Sequence, residues 1–431
     1  MTDTPYDVLI VGGGFAGLSA AALLSRQKRR VLLVEASARL GGRATYFERD
    51  GFVWQYGQHS HRLAHDGIAA RVFNAIGDPI DFLDTRGGTA YLYLNGALYP
   101  RPEGAGAFLF TRLLPFTARL DFLRFYARLL KEEPGPWYGR TLLEYYRVRG
   151  RNPSVEKFLC FLGFAVMIPD PARVSAGEVI RFLQRAAKVP VKQGEPRGGS
   201  KQLIDKLRNC IRTHGGEIRT RERVREILSG GGRVLGVRTD LAEHRAGQVV
   251  FAAPLFHLFG LMPESLFQPA FVEYVKGIRS SSGVSIDFVF DGPVTEMTGG
   301  ILGVDIPLWV KFQSNLDPTI APPGRHVNTW AMLLEQGTPA TPKNAEPVVA
   351  RIKQIMEEVL PGAARRIVHE RRLLLPVVNA NMLIPEQSLP RRPAVACPDV
   401  EGLYFIGDTV QSEGCSGDIA FSSALQLAEL L

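Results

Sequence analysis

The sequence predicts an α/β fold (α+β overall), in which a Rossmann-like domain contains an inserted domain of helices and an antiparallel sheet. The first observation is a strand, a glycine-rich turn, a helix and a second strand within the first 35 residues, the order of a parallel βαβ unit. The second is a pair of segments, 285–290 and 327–333, rich in the β-branched and aromatic residues that favour strands. A chain of 431 residues is also long enough for two domains.

The glycine-rich turn after the first strand has the spacing of a dinucleotide-binding loop. The strand covers residues 6–11, and a helix of small and apolar residues is predicted over 18–24. The first glycine of such a loop permits the tight turn, the second lets the backbone approach a pyrophosphate, and the third lets the helix pack closely on the strand. The helix N-terminus attracts the phosphates through its unpaired N–H groups and its dipole. The residues expected around the phosphates are Gly12, Gly14, Phe15, Ala16 and Gly17.

An acidic residue ends the second strand at the distance expected for a ribose ligand. The strand at 30–34 leads into Glu35, 18 residues beyond Gly17. A carboxylate at this position accepts hydrogen bonds from both hydroxyls of an adenosine ribose and repels a 2′-phosphate. Glu35 and the adjacent Ala36 are therefore predicted to contact the adenosine half of a dinucleotide.

The run Gly41-Gly42-Arg43-Ala44-Thr45 follows the acidic residue after a gap of five residues. Together with the glycine loop, it resembles the extended fingerprint of the FAD-binding flavoprotein superfamily that includes monoamine oxidases, protoporphyrinogen oxidases and phytoene desaturases. The chain is closest in character to the phytoene desaturase-like enzymes. The resemblance implies non-covalent FAD, with Gly41, Gly42 and Arg43 near the pyrophosphate and the flavin ring.

Two later segments resemble the same superfamily. Residues 196–254 read as a helix, a strand, a short hairpin and a buried strand, and 402–431 as a strand ending in Gly-Asp before an apolar helix. By resemblance, Val224 contacts the adenine and Asp408 holds a ribityl hydroxyl. The resemblance also implies that the last helix points its N-terminus at the flavin pyrimidine, where reduced flavin is negatively charged. The further residues implied at the cofactor are Ala253, Gly407, Gly417, Asp418 and Ile419.

The positions of these segments divide the chain into a discontinuous FAD-binding domain and a substrate domain. The FAD-binding domain is expected at 1–90, 195–275 and 396–431, and the substrate domain at 91–194 and 276–395. The first insert is predicted to be helical and the second to form the antiparallel sheet beside the flavin. The fingerprint begins near residue 7 and no apolar run approaches the ~20 residues that cross a bilayer. We therefore expect a cytoplasmic protein without a signal peptide.

Three residues after the fingerprint are candidate catalytic groups. His59, His61 and Arg62 lie on a segment that, by resemblance, approaches the flavin. Two histidines two residues apart on an extended segment face the same side, where they would serve as a proton relay or, with the arginine, as a clamp for an anionic substrate. The alternative is that one histidine caps a loop and the other is solvated. A metal site is not expected, because no third ligand accompanies them.

The segment 105–131 is the main clue to the substrate. Its Phe and Leu residues are interrupted by Arg112, Arg119, Arg124 and Arg128. Residues 101–151 hold ten Arg or Lys against five Asp or Glu, much of the chain's net charge of +8. Such helices either pack in the second domain and expose their arginines, or lie on an anionic membrane from which a lipophilic substrate enters. Nucleic acid is not expected as a partner, because no binding motif accompanies the charge.

The sequence departs from the amine oxidases of this superfamily. Those enzymes carry a lysine on the first strand of the substrate domain, whereas residues 280–285 hold none; Lys276 precedes this region and Lys311 lies well beyond it. We predict an FAD-dependent oxidoreductase that desaturates a hydrophobic, isoprenoid or polyene substrate by hydride transfer to flavin N5, with the electron acceptor left open. The alternatives are a redox-neutral isomerase of a lipophilic substrate, then an amine oxidase. The last is a lipid-binding escort like the Rab GDP-dissociation inhibitors, which have lost nucleotide binding.

Overall fold

The computed structural model of the chain describes residues 6–57, 60–85 and 88–431. The strands, in chain order, are β1 (Tyr6–Val11), β2 (Val31–Glu35), β3 (Tyr46–Arg49), β4 (Phe52–Gln55), β5 (His61–Arg62), β6 (Tyr91–Leu94), β7 (Ala97–Pro100), β8 (Gln193–Gly194), β9 (Glu217–Thr220), β10 (Val224–Gly230), β11 (Arg233–Thr239), β12 (Glu243–Phe251), β13 (Gly283–Phe290), β14 (Ile301–Gly303), β15 (Leu308–Lys311), β16 (His326–Leu333), β17 (Ile367–Leu375) and β18 (Leu403–Phe405). The helices are α1 (Phe15–Arg26), α2 (Ile68–Ala75), α3 (Gly104–Phe110), α4 (Phe116–Leu129), α5 (Leu142–Arg147), α6 (Pro153–Phe164), α7 (Ala176–Ala187), α8 (Ser200–Thr213), α9 (Pro269–Lys276), α10 (Gln313–Leu316), α11 (Pro342–Val359) and α12 (Gly417–Leu430).

A mainly parallel sheet carries the segments predicted to bind the dinucleotide. Its order is β10-β11-β12-β1-β2-β9, and β18 also pairs with β12. Because β1 lies between β12 and β2 and is parallel to both, the side chains of Val8, Leu9 and Ile10 are fully buried. α1 packs closely on this sheet because Gly17 has no side chain: a Cβ there would lie 1.9 Å from the Gly12 carbonyl oxygen. This is the Rossmann-like arrangement that the glycine loop predicts.

The second sheet has the order β17-β13-β16-β15-β14-β6-β7 and is antiparallel except where β14 pairs with β6. The strands predicted at 285–290 and 327–333 are β13 and β16, which pair with each other. One face of the sheet packs on α11 through a buried cluster that includes Phe288, Trp330 and Ile352. Helices α3 to α7 pack together in a separate apolar cluster. The fold class is therefore the predicted one, while the domain limits stay a prediction.

The beginning of the first insert differs from the prediction. The sequence was expected to be helical over 91–194, but β6 and β7 form a hairpin at its start and join the second sheet. Asn95 and Gly96 connect these strands with φ of 50° and 80°, the left-handed conformation of both central residues in a type I′ turn. An Asn-Gly pair between two apolar runs is the sequence signal for such a hairpin. The helical interpretation of the whole insert overlooked it.

The segment 105–131 forms α3, α4 and the connection between them. Phe108, Phe122 and Phe125 are buried in the helical cluster, so core packing accounts for many of its apolar residues. Phe110 and Phe116 are exceptions, with 82% and 59% of their surfaces exposed. Within the described residues, none of the helices is both long and apolar enough to cross a membrane.

Candidate functional site

Two glycine loops meet at the N-terminus of α1. The Gly41 N–H donates to the Gly13 carbonyl oxygen at 2.7 Å, and a Cβ on Gly42 would lie 3.2 Å from the Gly14 Cα. The side of Gly14 where its own Cβ would stand is open, with no heavy atom within 4 Å. The first N–H groups of α1 have no acceptor within the helix. An open backbone beside these donors is a cradle for a phosphate group.

Glu35 is fixed by backbone groups at the end of β2. Its Oε2 accepts the Gly13 N–H at 2.7 Å, and its Oε1 accepts the Ser37 N–H at 2.7 Å. Each carboxylate oxygen has a second lone pair, so both oxygens retain the capacity to accept a ribose hydroxyl. The contact with Gly13 places the carboxylate beside the phosphate cradle, as the predicted ribose role requires.

Arg43 and Asp408 form a bidentate ion pair that joins distant parts of the chain. Nη1 and Nη2 of Arg43 each donate to one carboxylate oxygen at 2.7 Å, and the Ala380 N–H donates to Oδ2 at 2.9 Å. Burial disfavours the charged form of Asp408, but Arg43 and these hydrogen bonds outweigh burial and hold the pKa of Asp408 below its usual value. Since a carboxylate has about four lone pairs, one on Oδ1 is left for a ribityl hydroxyl.

The start of α12 is close to the predicted catalytic arginine. Asp418, in the first turn, is only 6% exposed. Burial raises the pKa of Asp418, against the opposing charge of Arg62. Arg62 also donates to the Cys415 carbonyl oxygen at 3.4 Å. The structure thus brings Arg62 to the helix start that holds the predicted cofactor residues Gly417, Asp418 and Ile419.

The other predicted cofactor residues lie at the ends of strands of the first sheet. Val224 begins β10, and Ala253 and Gly407 follow β12 and β18. Gly407 has a φ of 125°, a backbone conformation that favours glycine. Ala16 lies in the first turn of α1, and Ala36 directly follows β2. Their contacts with a cofactor stay a prediction.

Of the two predicted catalytic histidines, the structure describes only His61. His59 lies outside the described residues. His61 is 1% exposed, and its ring centroid lies 5.9 Å from that of Phe15 and 5.8 Å from that of Phe421. Burial, together with the charge of Arg62, lowers the pKa of His61 to about 3, so this imidazole is neutral near pH 7. Its catalytic role stays a prediction, and the structure places its ring against the predicted cofactor residue Phe15.

A row of buried polar side chains on the second sheet was not predicted. It includes Asp287, Thr329 and Lys311, which are 2%, 0% and 8% exposed. The available signal was a charged residue inside an apolar strand, Ile286-Asp287-Phe288, because a buried charge requires a partner. The partner, Arg371, lies 84 residues away, and its identity depends on how β13 and β17 pair.

These residues fit an FAD molecule. The open backbone at Gly14 accommodates a pyrophosphate, Glu35 retains acceptors for a ribose, and Asp408 retains one for a ribityl hydroxyl. The N-terminus of α12 supplies a positive dipole end for a flavin. Bound there, FAD would supply hydride acceptance, and the chain would supply binding and orientation.

Comparison with known proteins supports this conclusion. The chain is 23% identical to the chloroplastic prolycopene isomerase of Arabidopsis thaliana, over 94% of this chain and 79% of the relative. It is 29% identical to the carotenoid phi-ring synthase of Chlorobaculum tepidum, over 57% of this chain and 41% of that protein. The crystal structure of an oxidoreductase from Methanosarcina mazei has the same fold, with a TM-score of 0.81, 21% identity and coverage of 98% of this chain and 100% of that one.

The family model described as flavin containing amine oxidoreductase matches residues 15–431. The match covers nearly the whole chain, so it includes the second sheet, the helical cluster and every strand of the first sheet except β1. The predicted superfamily, the FAD cofactor and the enzyme class are therefore confirmed. The chain is an FAD-dependent oxidoreductase and belongs to the flavin containing amine oxidoreductase family.

Proposed function

We propose that this enzyme dehydrogenates a hydrophobic isoprenoid or polyene substrate, with non-covalently bound FAD as hydride acceptor. The observation that carries the proposal is the similarity to a prolycopene isomerase over 94% of the chain, because it extends beyond the cofactor segments into the part predicted to hold the substrate. The carotenoid phi-ring synthase supports the same substrate class. Gly14, Glu35, Arg43 and Asp408 bind the cofactor, and the second sheet and the helical cluster hold the substrate.

An amine substrate fits the chain less well. The rings of Phe47, Trp54 and Tyr56 surround a cation, but that cation is Arg371 of the chain itself. Its guanidinium carbon lies 5.6, 4.7 and 5.4 Å from the three ring centroids. Aromatic faces attract cations, but these three rings already contact the guanidinium of Arg371 and are not available to a substrate ammonium group. The lysine of the amine oxidases is also missing from residues 280–285.

A redox-neutral isomerase is the second candidate, favoured by the name of a relative that aligns with 94% of this chain, the prolycopene isomerase. The two reactions differ in the mass of the product. A dehydrogenase removes two hydrogens per double bond and needs an electron acceptor to turn over, whereas an isomerase leaves the mass unchanged and needs none. Phytoene and prolycopene, each incubated with the purified enzyme with and without a quinone, separate the two reactions by chromatography and mass spectrometry. A product of unchanged mass from prolycopene alone would contradict dehydrogenation.

The substrate enters from an anionic membrane at the connection between α3 and α4. Phe110 and Phe116 expose most of their surfaces there, and Arg112 lies between them in sequence and is exposed. Aromatic side chains insert at the headgroup level while arginine pairs with anionic lipid. The apolar core directly beneath, which includes Leu113 and Leu114, connects this surface to the helical cluster.

A further inference from the structure

Four polar residues form one row across the second sheet. Lys311 on β15 is opposite Thr329 on β16, Thr329 is opposite Asp287 on β13, and Asp287 is opposite Arg371 on β17. Directly paired residues on antiparallel strands project from the same face. Their neighbours in sequence, such as Val310, belong to the apolar cluster against α11, so the row faces away from that helix.

The row is tied by hydrogen bonds to Gln55, at the end of β4. Gln55 Nε2 donates to Gln313 Oε1 at 3.2 Å, and Gln313 in turn donates to the Thr329 hydroxyl. Arg371 donates to the Gln55 carbonyl oxygen and, through Nε, to Asp287 Oδ2 at 2.7 Å. Thr329 also donates to Asp287, so the members of the row other than Lys311 form a closed ring of hydrogen bonds with Gln55 and Gln313. Lys311 lies at the end of the row and pairs with Glu195 instead.

Gln55 connects this network to the predicted flavin site. Two residues further along, a Cβ on Gly57 would lie 2.9 Å from the Arg43 carbonyl oxygen, and Arg43 is bonded to Asp408. Gln55 Oε1 also accepts the N–H of Ser200, the first residue of α8, at 3.0 Å. The polar row is therefore linked through Gln55 and Gly57 to Arg43, which is predicted to lie beside the cofactor.

Lys311 ends the row beside a small polar cavity. Its ammonium pairs with Glu195, and both side chains are almost fully buried, 11% and 9% exposed. Next to them lies a cavity of about 30 Å³. The polar residues that line it are Gln55, Glu195, Thr298, Lys311, Gln313 and Asp317. A cavity of this size with several polar partners holds about one water molecule.

Burial is the main influence on the protonation of Lys311. Burial, and to a lesser extent the charge of Arg101, lowers the pKa of Lys311 to about 7. Glu195 faces it from the segment before α8 and Asp317 from the segment after α10, and Asp287 and Arg371 lie further along the row. A lysine in this environment exchanges a proton near neutral pH, where general bases are most effective.

From this geometry we infer that Lys311, paired with Glu195 and acting through the cavity water, accepts the proton that the substrate loses. The inference rests on the proposed dehydrogenation. With oxidised FAD bound, one C–H bond of the substrate would give up its hydrogen with both electrons to the cofactor, and the adjacent C–H bond would give up a proton. The electron pair left by that proton forms the new double bond. The proton passes through the water to neutral Lys311, and the resulting ammonium is stabilised by the Glu195 carboxylate.

The test compares the pH dependence of anaerobic flavin reduction by phytoene in the wild type, Lys311→Met, Lys311→Arg and Glu195→Gln. The wild-type rate is expected to rise as pH increases through about 7. Lys311→Met is expected to lose this pH-dependent rise, and its rate of flavin reduction is expected to be about 10²–10⁴-fold lower. Lys311→Arg is expected to be equally slow, because arginine stays charged and cannot accept the proton. Glu195→Gln shifts the rise to lower pH. Lys276→Met, which removes an exposed lysine paired with Glu264, is the matched control.

A second measurement reports on Lys311 without turnover. Between pH 7 and 10.5, Lys311 carries a proton in the unfolded chain but not in the folded one. The free energy of unfolding of the FAD-loaded wild type is therefore expected to increase with pH in this range. Lys311→Met lacks this titrating group, so its free energy of unfolding is expected to increase less. If Lys311→Met keeps the wild-type rate and pH profile of flavin reduction, the inference is overturned, whatever its stability. If phytoene does not reduce the wild-type flavin at all, the proposed function fails and the inference with it.

Discussion

At the scale of single residues, the site depends on acidic side chains that are already engaged before a cofactor binds. Glu35 accepts two backbone N–H groups, and Asp408 accepts three hydrogen bonds from Arg43 and Ala380. Their geometry is therefore fixed by the chain, and binding costs little reorganisation. Glu35 was predicted by its distance from Gly17 in sequence. The Arg43–Asp408 pair was not, because nothing in the sequence relates residues 365 positions apart.

Glu35→Ala is expected to weaken FAD binding. The variant loses hydrogen bonds to the ribose, each worth roughly 1.5–3 kcal/mol for a charged acceptor, or about ten- to a hundredfold in Kd. Fluorescence titration of the apoprotein with FAD measures the change. Glu35→Gln, which keeps one acceptor oxygen, is expected to lose less. An unchanged Kd for Glu35→Ala would show that this residue does not hold the ribose.

Replacing Arg43 is expected to lower the free energy of unfolding more than replacing its partner Asp408. Arg43→Met leaves the Asp408 side chain, 3% exposed, as a buried charge without its partner, at a cost of about 3 kcal/mol. Asp408→Asn leaves Arg43, which is 41% exposed, able to reach water and costs less. Urea unfolding of the apoprotein at pH 7 compares the two variants.

The double variant and the pH dependence are the controls for this prediction. Arg43→Met combined with Asp408→Asn removes the buried charge and is expected to recover part of the stability lost by Arg43→Met. Because the pKa of Asp408 is lowered on folding, the pair stabilises the protein above the ordinary pKa of 3.8 and this contribution is lost as pH falls below it. Equal stability of the two single variants would contradict the assignment of Asp408 as the buried charge.

At the scale of elements, local signals predicted the strands and helices of the cofactor site well. The strand, glycine loop and helix at the start of the chain are specified by residues within a few positions of one another. The polar row on the second sheet is specified by the register of β13, β16 and β17, which are distant in sequence. Apolar patterns identify such strands but not which residues face each other across them. This is why Arg371 and Lys311 escaped prediction.

Two glycines of the first βα unit are expected to respond differently to the same substitution. Gly17→Ala places a Cβ 1.9 Å from the Gly12 carbonyl oxygen, so it is expected to lower the melting temperature and to prevent FAD binding. This outweighs the gain of about 1 kcal/mol that alanine normally gives within a helix. Gly14→Ala meets no atom within 4 Å and is expected to fold normally while losing FAD. A Gly14→Ala variant that binds FAD like the wild type would contradict the phosphate cradle.

The connection between α3 and α4 is expected to bind membranes. Phe110→Ser with Phe116→Ser removes the two exposed rings and is expected to reduce co-sedimentation with vesicles that contain phosphatidylglycerol. Neutral phosphatidylcholine vesicles are expected to bind the wild type more weakly, because the arginines lose their partners. Leu241→Ser, which changes a residue 72% exposed in the hairpin between β11 and β12, is the matched control. Equal binding by the double variant and the control would exclude this surface.

At the scale of the whole molecule, we propose that the mainly parallel sheet binds the cofactor and that the second sheet and the helical cluster bind the substrate. The Arg43–Asp408 pair and the network around Gln55 join segments near the start of the chain to segments near its end. The sequence predicted the cofactor and family from three motifs. It did not specify the substrate, because the residues proposed to surround the substrate come from strands and helices that are distant in sequence, and their pairing is not encoded locally.

The most direct test of the proposed dehydrogenation is to measure flavin reduction by candidate substrates in the absence of oxygen. The purified, FAD-loaded enzyme is mixed with phytoene, a porphyrinogen and an amine in turn, and the absorbance of oxidised flavin near ~450 nm is followed. The account predicts bleaching by phytoene and none by the amine, with a desaturated product in an amount equal to the flavin reduced. Bleaching by the amine, or by none of the three, would contradict it.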